Sequence, residues 1–282
     1  MSTERSSDLE VVADVRRRCV AAGEHDPLDE AASLRLKHHG LEDASLWVAD
    51  ADGFAFAHAG AVDLAVAPDA RGRGLGRSLA EQSLAGAAPV TAWSHGDHPA
   101  AARLAASYDL ARVRELWVMR RPTSLPVPAM SAADGIVVRG YRDEDAEEVV
   151  RVNAAAFAHH PEQGAMDLAE LGERMAEDWF DPSGLLVADD GDGLLGFHWT
   201  KRHSADLGEV YVVGIDPAAQ GRGLGRVLTA AGLTHLAEAG VAEVMLFVES
   251  DNAAGRRLYE GLGFTHADAD THVQYQRALA DS

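Results

Sequence analysis

The sequence predicts an α/β fold built twice in one chain, and three observations carry that prediction. The block G-R-G-L-G-R occurs in both halves, in "LAVAPDARGRGLGRSL" (64–79) and "YVVGIDPAAQGRGLGRVL" (211–228), with Pro68 and Pro217 149 positions apart, as are Gly72 and Gly221. Upstream of each block lies a matched pair of apolar runs around an Asp/Gly turn, "LWVADADGFAFAHAG" (46–60) and "LLVADDGDGLLGFHWT" (185–200). Such a pattern is a hairpin signature. Downstream, "HPAAARLAASYDL" (98–110) parallels "NAAGRRLYEGLGF" (252–264), each preceded by aspartate and followed by a strand, "ARVRELWVMRR" or "THVQYQRAL". Self-similarity at one period across three segments is the mark of an internal duplication.

The elements of the second copy follow in order. A strand is expected over 136–140, then helical segments to about 178, the hairpin 185–200 and a strand over 209–215. A helix over 223–239 comes next, because Leu224, Leu228, Gly232 and Leu236 recur at i+4 and make one apolar face. Gly240 stands where a glycine ends a helix. In "VAEVMLFVES" Val244, Leu246 and Val248 alternate with Met245 and Phe247, so both faces of a strand over 241–249 read as buried. Asp251 or Asn252 caps a helix over 253–262, and a strand over 271–278 closes the copy. Between the copies, "RPTSLPVPAMSAADG" (121–135) holds three of the ten prolines in seven residues, as a stiff linker would. The expected division is 1–121, a linker 122–135, and 136–282.

Bulk properties narrow the function. At 282 residues the chain has room for two ordinary domains. A formal charge of −20, from 45 acidic and 25 basic residues, disfavours nucleic acid and anionic membrane surfaces as partners. An anionic ligand must therefore find a local cationic or amide-lined site. The single cysteine, Cys19, excludes an internal disulfide and fits a reducing compartment. No apolar leader opens the sequence and no run reaches membrane-helix length. A cytoplasmic, monomeric protein is expected.

The glycine blocks carry the first chemistry. Gly221, Gly223 and Gly225 lie between a strand and a helix start, where consecutive amides can converge on an anion at the positive helix end. Arg222 and Arg226 add charge suited to phosphate. Such turns also serve geometry alone. A P-loop would need Lys-Ser/Thr where Arg226-Val227 stands. A dinucleotide fingerprint would sit tight against its strand, whereas Asp216, Pro217 and three more residues intervene.

The run "VVGIDP", "AAQGRGLGRVL" and "ESDNAAGRRLYEGLGF" resembles the GNAT acetyltransferase superfamily over most of each half. The resemblance implies tandem acyl-CoA N-acyltransferase domains, each a mixed, mostly antiparallel central sheet flanked by helices. It further implies that Gln220, Gly221, Arg222, Gly223, Leu224, Gly225 and Arg226 bind the pyrophosphate of acetyl-CoA. Val213, Gly214 and Ile215 would pair with the pantetheine arm, with amides near Gly214 and Ile215 serving the oxyanion. The segments "GEVYVVGIDPAAQGRGLG", "HPEQG", "WFDP", "GFHWTK" and "VESDN" are similar to one tandem subfamily, the mycothiol synthases of actinobacteria. That likeness implies acetylation of the cysteinyl amine of desacetylmycothiol, a small-molecule partner, with acetyl-CoA as cosubstrate.

By the same resemblance Glu209 is the general base and Tyr259 the general acid. Read alone, they would be a strand-end carboxylate and a core tyrosine. Asn252, Ala253, Ala254, Gly255, Arg256 and Arg257 would contact the coenzyme A end; a cap and a solvated helix face are the plainer reading. Glu30, Glu162, Lys201 and Glu209 would line the acceptor pocket together with Phe247, which stands where a tyrosine is expected and so removes one polar contact. No histidine or cysteine spacing suits a metal.

In the first copy Gly60 aligns with Glu209, Ala105 with Tyr259 and His98 with Asn252. That copy keeps the phosphate-type turn without the proton-transfer groups. Leu64, Ala65 and Val66 with Gly72, Arg73, Gly74, Leu75, Gly76 and Arg77 would then hold acyl-CoA without transferring it, or only shape the turn. Two other readings stay open: a tandem GNAT enzyme for an antibiotic, amino acid or protein N-terminus, and an acyl-CoA-sensing module without turnover. A pure sensor needs neither Glu209 nor Tyr259.

Overall fold

The computed structural model describes residues 2–84, 90–159 and 161–277, with the side chains of 2–6 and 161–162 outside that description. In chain order the elements are α1 (Ser2–Ala21), α2 (Glu30–His39), β1 (Ala44–Ala49), β2 (Gly53–His58), β3 (Ala61–Val66), α3 (Leu75–Ser83), β4 (Val90–Ser94), α4 (Pro99–Ser107) and β5 (Ala111–Pro122). They continue with β6 (Val137–Gly140), α5 (Ala146–Ala156), α6 (Pro161–Gly164), α7 (Leu168–Met175), β7 (Leu185–Asp189), β8 (Leu194–Arg202) and β9 (Leu207–Ile215). Last come α8 (Leu224–Glu238), β10 (Glu243–Glu249), α9 (Ala253–Glu260) and β11 (Thr265–Arg277).

Two compact units result. One comprises Met1–Trp117, Glu249–Asp251 and Ala267–Ser282; the other comprises Val118–Val248 and Asn252–His266. The repeat in sequence and the grouping in space are thus different quantities. Residues from 267 on continue the second repeat along the chain and group with the first unit.

In the first unit the strand order is β1-β2-β3-β4-β11. β1, β2 and β3 form an antiparallel meander. β3 meets β4 in parallel through Ala61 and Thr91, and β4 runs antiparallel to β11 over Val273–Arg277. Phe54 and Phe56 pack on one side with Val12, Val15 and Leu28 from and near α1 and α2. Val62, Ala80, Leu84, Val90, Ala105, Val273 and Tyr275 form the second core.

The second unit repeats the scheme with the order β10-β9-β8-β7-β6. β6 to β9 are antiparallel, and β9 and β10 are parallel. Alternation along β7 sends Leu185 and Val187 to a core with α5 and α7, and Leu186 and Ala188 to the core under α8. Both units are therefore mixed, mostly antiparallel sheets flanked by helices. Leu224, Leu228, Gly232 and Leu236 all point inward, as the i+4 spacing predicts. Gly232 has a specific reason: a methyl there would overlap the buried His198 ring, whose Nδ1 lies 2.8 Å from the Leu228 carbonyl. Burial pushes His198 down to about 4, so it sits in the core neutral. Gly240 follows the helix with φ +85°.

The expectation that both faces of β10 are buried fails at one residue. Val244, Leu246, Val248 and Met245 are buried, while Phe247 is 38 % exposed. The β9–β10 ladder runs from Leu207 and Glu243 to Val210 and Leu246 and ends there, so Phe247 lies one residue beyond the last pair. No helix among the described residues is long and apolar enough to cross a membrane.

Candidate active site

The glycine turn is built in three steps. Asp216 closes the turn Pro217–Ala219 by accepting from the Ala218 amide at 2.9 Å. Arg151 fixes the same carboxylate, Nη1 to Oδ2 at 2.6 Å. Gly221 and Gly223 then take φ +78° and +77°, a region in which a side chain costs on the order of 1 kcal/mol or more. Gly223 caps α8 without a side chain. Gly225 serves contact instead: a Cβ there would lie 3.4 Å from Leu258 of α9. The start of α8 is thereby held against the helix that carries Tyr259.

The residues present suit an anionic group. Residues 220–223 and Arg226 are exposed. Among the described residues the amides of 221–225 donate no hydrogen bond, and Arg222 and Arg226 make no ion pair. Free amides at a helix N-terminus flanked by guanidinium groups are an anion cradle.

β9 leads from this turn to the base candidate. Gly214 permits contact with Phe197, whose ring would lie 2.7 Å from an added Cβ. Val213 and Ile215 are half-buried. The β8–β9 register shifts between Trp199, opposite Val212, and Thr200, opposite Val210, so Tyr211 is an extra residue, a β-bulge. Just before it the parallel ladder with β10 ends. Glu209 lies there, opposite Lys201 on β8 and Met245 on β10, and only 5 % exposed. Its Oε2 is 2.6 Å from His203 Nε2.

An aromatic group adjoins Glu209 on this side of β8 and β9. Trp199, Tyr211, Trp179 and Phe180 contact one another with ring centroids 5.1–5.7 Å apart. The Lys201 ammonium stands 4.8 Å over Trp179 and 5.2 Å over Tyr211, within cation–π range. Arg174 of α7 donates to the Tyr211 hydroxyl at 3.1 Å.

Asn252 caps α9 by accepting from the Gly255 amide at 2.8 Å, which selects it over Asp251. A Cβ on Gly255 would lie 2.9 Å from that side chain. Ala253, Ala254 and Arg257 are exposed and Arg256 is half-buried. Tyr259 packs edge-on to Phe264, with ring centroids 5.9 Å apart. Burial pushes the phenol up to about 12.

In the first unit Gly72 and Gly74 repeat the turn at φ +79° and +88° ahead of Leu75. Gly76 faces Leu104 at 3.7 Å, as Gly225 faces Leu258. Ala105 is buried, and Gly60 precedes β3 at φ +83°. Leu64, Ala65 and Val66 lie on β3, and Arg77 in the first turn of α3. Arg73 differs from its counterpart, being paired with Asp52 at 2.8 Å. Glu30 opens α2 after the Asp29 cap. The side chain of Glu162 lies outside the described residues. No group of three or more His, Cys, Asp or Glu among the described residues is arranged to hold a metal ion.

Sequence reasoning did not single out His203, Trp179, Tyr211 or Arg174. The hairpin offered a signal for the first, since His203 and Glu209 flank a short turn and become diagonal neighbours once Lys201 is paired with Glu209. The bulge offered none.

Comparison with known proteins agrees with the geometry. The description "Acetyltransferase (GNAT) family" matches residues 152–264. The chain is 58 % identical to a mycothiol acetyltransferase of a Nocardioides strain, covering 95 % of this chain and 97 % of the relative. It is 48 % identical to one of Actinosynnema mirum, covering 95 % and 96 %. Among solved structures, a GCN5-related N-acetyltransferase from Sphaerobacter thermophilus superposes with TM-score 0.67 at 23 % identity, over 95 % and 91 % of the two chains. A tandem GNAT protein from the clavulanic acid biosynthesis pathway does so with TM-score 0.67 at 19 %, over 98 % and 97 %. The duplicated sheet, the amide-lined turn and these relatives lead to one conclusion: the chain is an N-acetyltransferase that belongs to the mycothiol acetyltransferase family, a tandem branch of the GNAT proteins.

Proposed function

We propose that the second unit moves acetyl from acetyl-CoA to the cysteinyl amine of desacetylmycothiol, 1-D-myo-inositol 2-(L-cysteinylamino)-2-deoxy-glucopyranoside, by direct transfer in a ternary complex. The relatives' name, mycothiol acetyltransferase, supports a mycothiol-related acceptor. The observation that carries the chemistry is Glu209, a buried carboxylate one row before the end of the β9–β10 ladder, on the strand that leads into the amide-lined turn. A carboxylate so placed is suited to accept a proton from an acceptor ammonium.

Acetyl-CoA, when bound, supplies an activated acetyl group. Gln220 to Arg226 would hold its phosphates, with Arg222 and Arg226 contributing charge and residues 221–225 contributing amides. Val213 to Ile215 would pair with its pantetheine arm, and the amides near Gly214 and Ile215 would face developing negative charge. Asn252, Arg256 and Arg257 would flank the nucleotide end. Glu209 takes a proton from the acceptor ammonium, which frees the nitrogen lone pair for attack. Tyr259 keeps its proton at neutral pH and holds it for the departing sulfur. The same apolar surroundings that raise the phenol also raise a thiol, so burial does not widen the gap between them. Lys201 and the ring cluster of Trp179 and Tyr211 border the acceptor side, where a polyol finds one cation and flat apolar faces.

A thiol-release assay with purified protein and a panel of amines tests this reading. Preference for desacetylmycothiol over cysteine, glucosamine and an aminoglycoside is expected. Equal rates across the panel would overturn the acceptor assignment while leaving the transfer chemistry in place.

A further inference from the structure

In the hairpin between β8 and β9, the His203 ring folds back onto Glu209, with Nε2 2.6 Å from Oε2. A nitrogen lone pair facing a carboxylate oxygen at that distance would be repulsive, so a proton lies between them. With Glu209 ionised, Nε2–H donates and Oε2 accepts. The backbone sets this placement. The His203 and Ser204 amides both donate to the Leu207 carbonyl, at 2.9 and 3.3 Å. Ser204 Oγ accepts from the amides of Asp206 and Leu207 at 3.2 and 3.1 Å. Lys201 is directly across from Glu209 and His203 lies one diagonal step further on the same face. The Glu209 side chain is 6 % exposed and that of His203 33 %. The imidazole therefore stands between the buried carboxylate and water.

We propose that His203 is a positioning residue for acetyl transfer, its Nε2–H holding Glu209 Oε2 so that Oε1 is the oxygen presented to the acceptor ammonium. The inference rests on the reading of Glu209 as base. The step balances: an ammonium N–H bond breaks, an O–H bond forms on Oε1, the Nε2–H proton stays on His203, and the neutral carboxyl later returns its proton to water.

The test uses the full chain with acetyl-CoA and desacetylmycothiol, reading kcat and the acetyl-CoA KM. His203→Ala is expected to lower kcat by about tenfold, the scale of one hydrogen bond to a charged group, with acetyl-CoA KM within about twofold. His203→Gln keeps an N–H donor at a similar reach and restores most of kcat. His203→Asn, too short to reach Oε2, repeats the comparison if the alanine variant fails to fold. Wild-type kcat in the Ala or Asn variant would overturn the positioning role, as would a Gln variant no better than Ala. Glu209→Gln separates the two readings: if it turns over like wild type, the base assignment falls first. If it is inactive while His203→Ala is normal, only the role of His203 falls.

Discussion

The two glycine turns are nearly superimposable in their backbone logic and different in their chemistry. Each follows a proline turn, places two glycines near φ +80°, and starts a helix whose third glycine position faces a leucine of the later helix. Around that shared frame the second unit has Glu209, Tyr259 and Arg222, which makes no ion pair among the described residues. The first has Gly60, Ala105 and an arginine already neutralised by Asp52. The strands differ too. β9 is nine residues with a bulge and pairs in parallel over four rows, whereas β3 is six residues and meets β4 at one. The turn geometry alone therefore says nothing about catalysis. What distinguishes the copies is placed along the strand before the turn and the helix after it.

The strongest way to break this contrast is Glu209→Gln. It should lower kcat by about 10²–10⁴-fold with acetyl-CoA affinity unchanged by calorimetry; an active variant would leave the two copies chemically alike. Tyr259→Phe should cost about 10–10²-fold in kcat. Because the phenol is pushed up to about 12, it stays protonated to strongly alkaline pH. The wild-type kcat profile should thus show no downturn from Tyr259 below about pH 11. An alkaline limb that vanishes in Tyr259→Phe would contradict that.

A smaller effect sharpens the comparison of charge. Arg222→Gln should raise the acetyl-CoA KM by about tenfold, and the increase should shrink at high salt. Arg73→Gln should leave it within about twofold, since the Arg73 charge is already satisfied. A further comparison, read in stability and not in turnover, concerns Asp63 of β3, which aligns with Val212 of β9. Burial pushes the Asp63 carboxyl up to about 8. A folded-state value above the unfolded one means stability is full below about pH 4 and is lost as pH rises through about 8. Asp63→Asn should melt higher than wild type at pH 8, with the difference narrowing toward pH 4. A constant difference across that range would show that the carboxyl does not titrate there.

Much of this was legible in the residues. The duplication, both glycine turns, the hairpins, the inward face of α8 and the Asn252 cap all rest on local patterns: a period, a cap residue, a glycine at a left-handed position. The rest depends on pairing between distant segments. Phe247 alternates like a buried residue, yet it is 38 % exposed, one residue past the last β9–β10 pair. Tyr211 carries no mark that would make it a bulge. His203 looked like one unremarkable histidine among thirteen until the hairpin register brought it to Glu209. That 267–277 joins the first unit is equally invisible, because the second repeat's sequence predicts a strand without naming its partner.

That last strand has a consequence for biogenesis. β4 finds its antiparallel neighbour at Val273–Arg277, and Val273 and Tyr275 complete a core otherwise made by residues 62–110. A ribosome that has just finished Trp117 still has some 150 residues to add before that strand exists. At about 5–20 residues per second the delay is on the order of 10–30 s. During it one edge of a nascent sheet stands open, a situation that invites wrong pairing. The half made first is completed last, and trimming the carboxyl end of the chain would injure the unit encoded at its beginning.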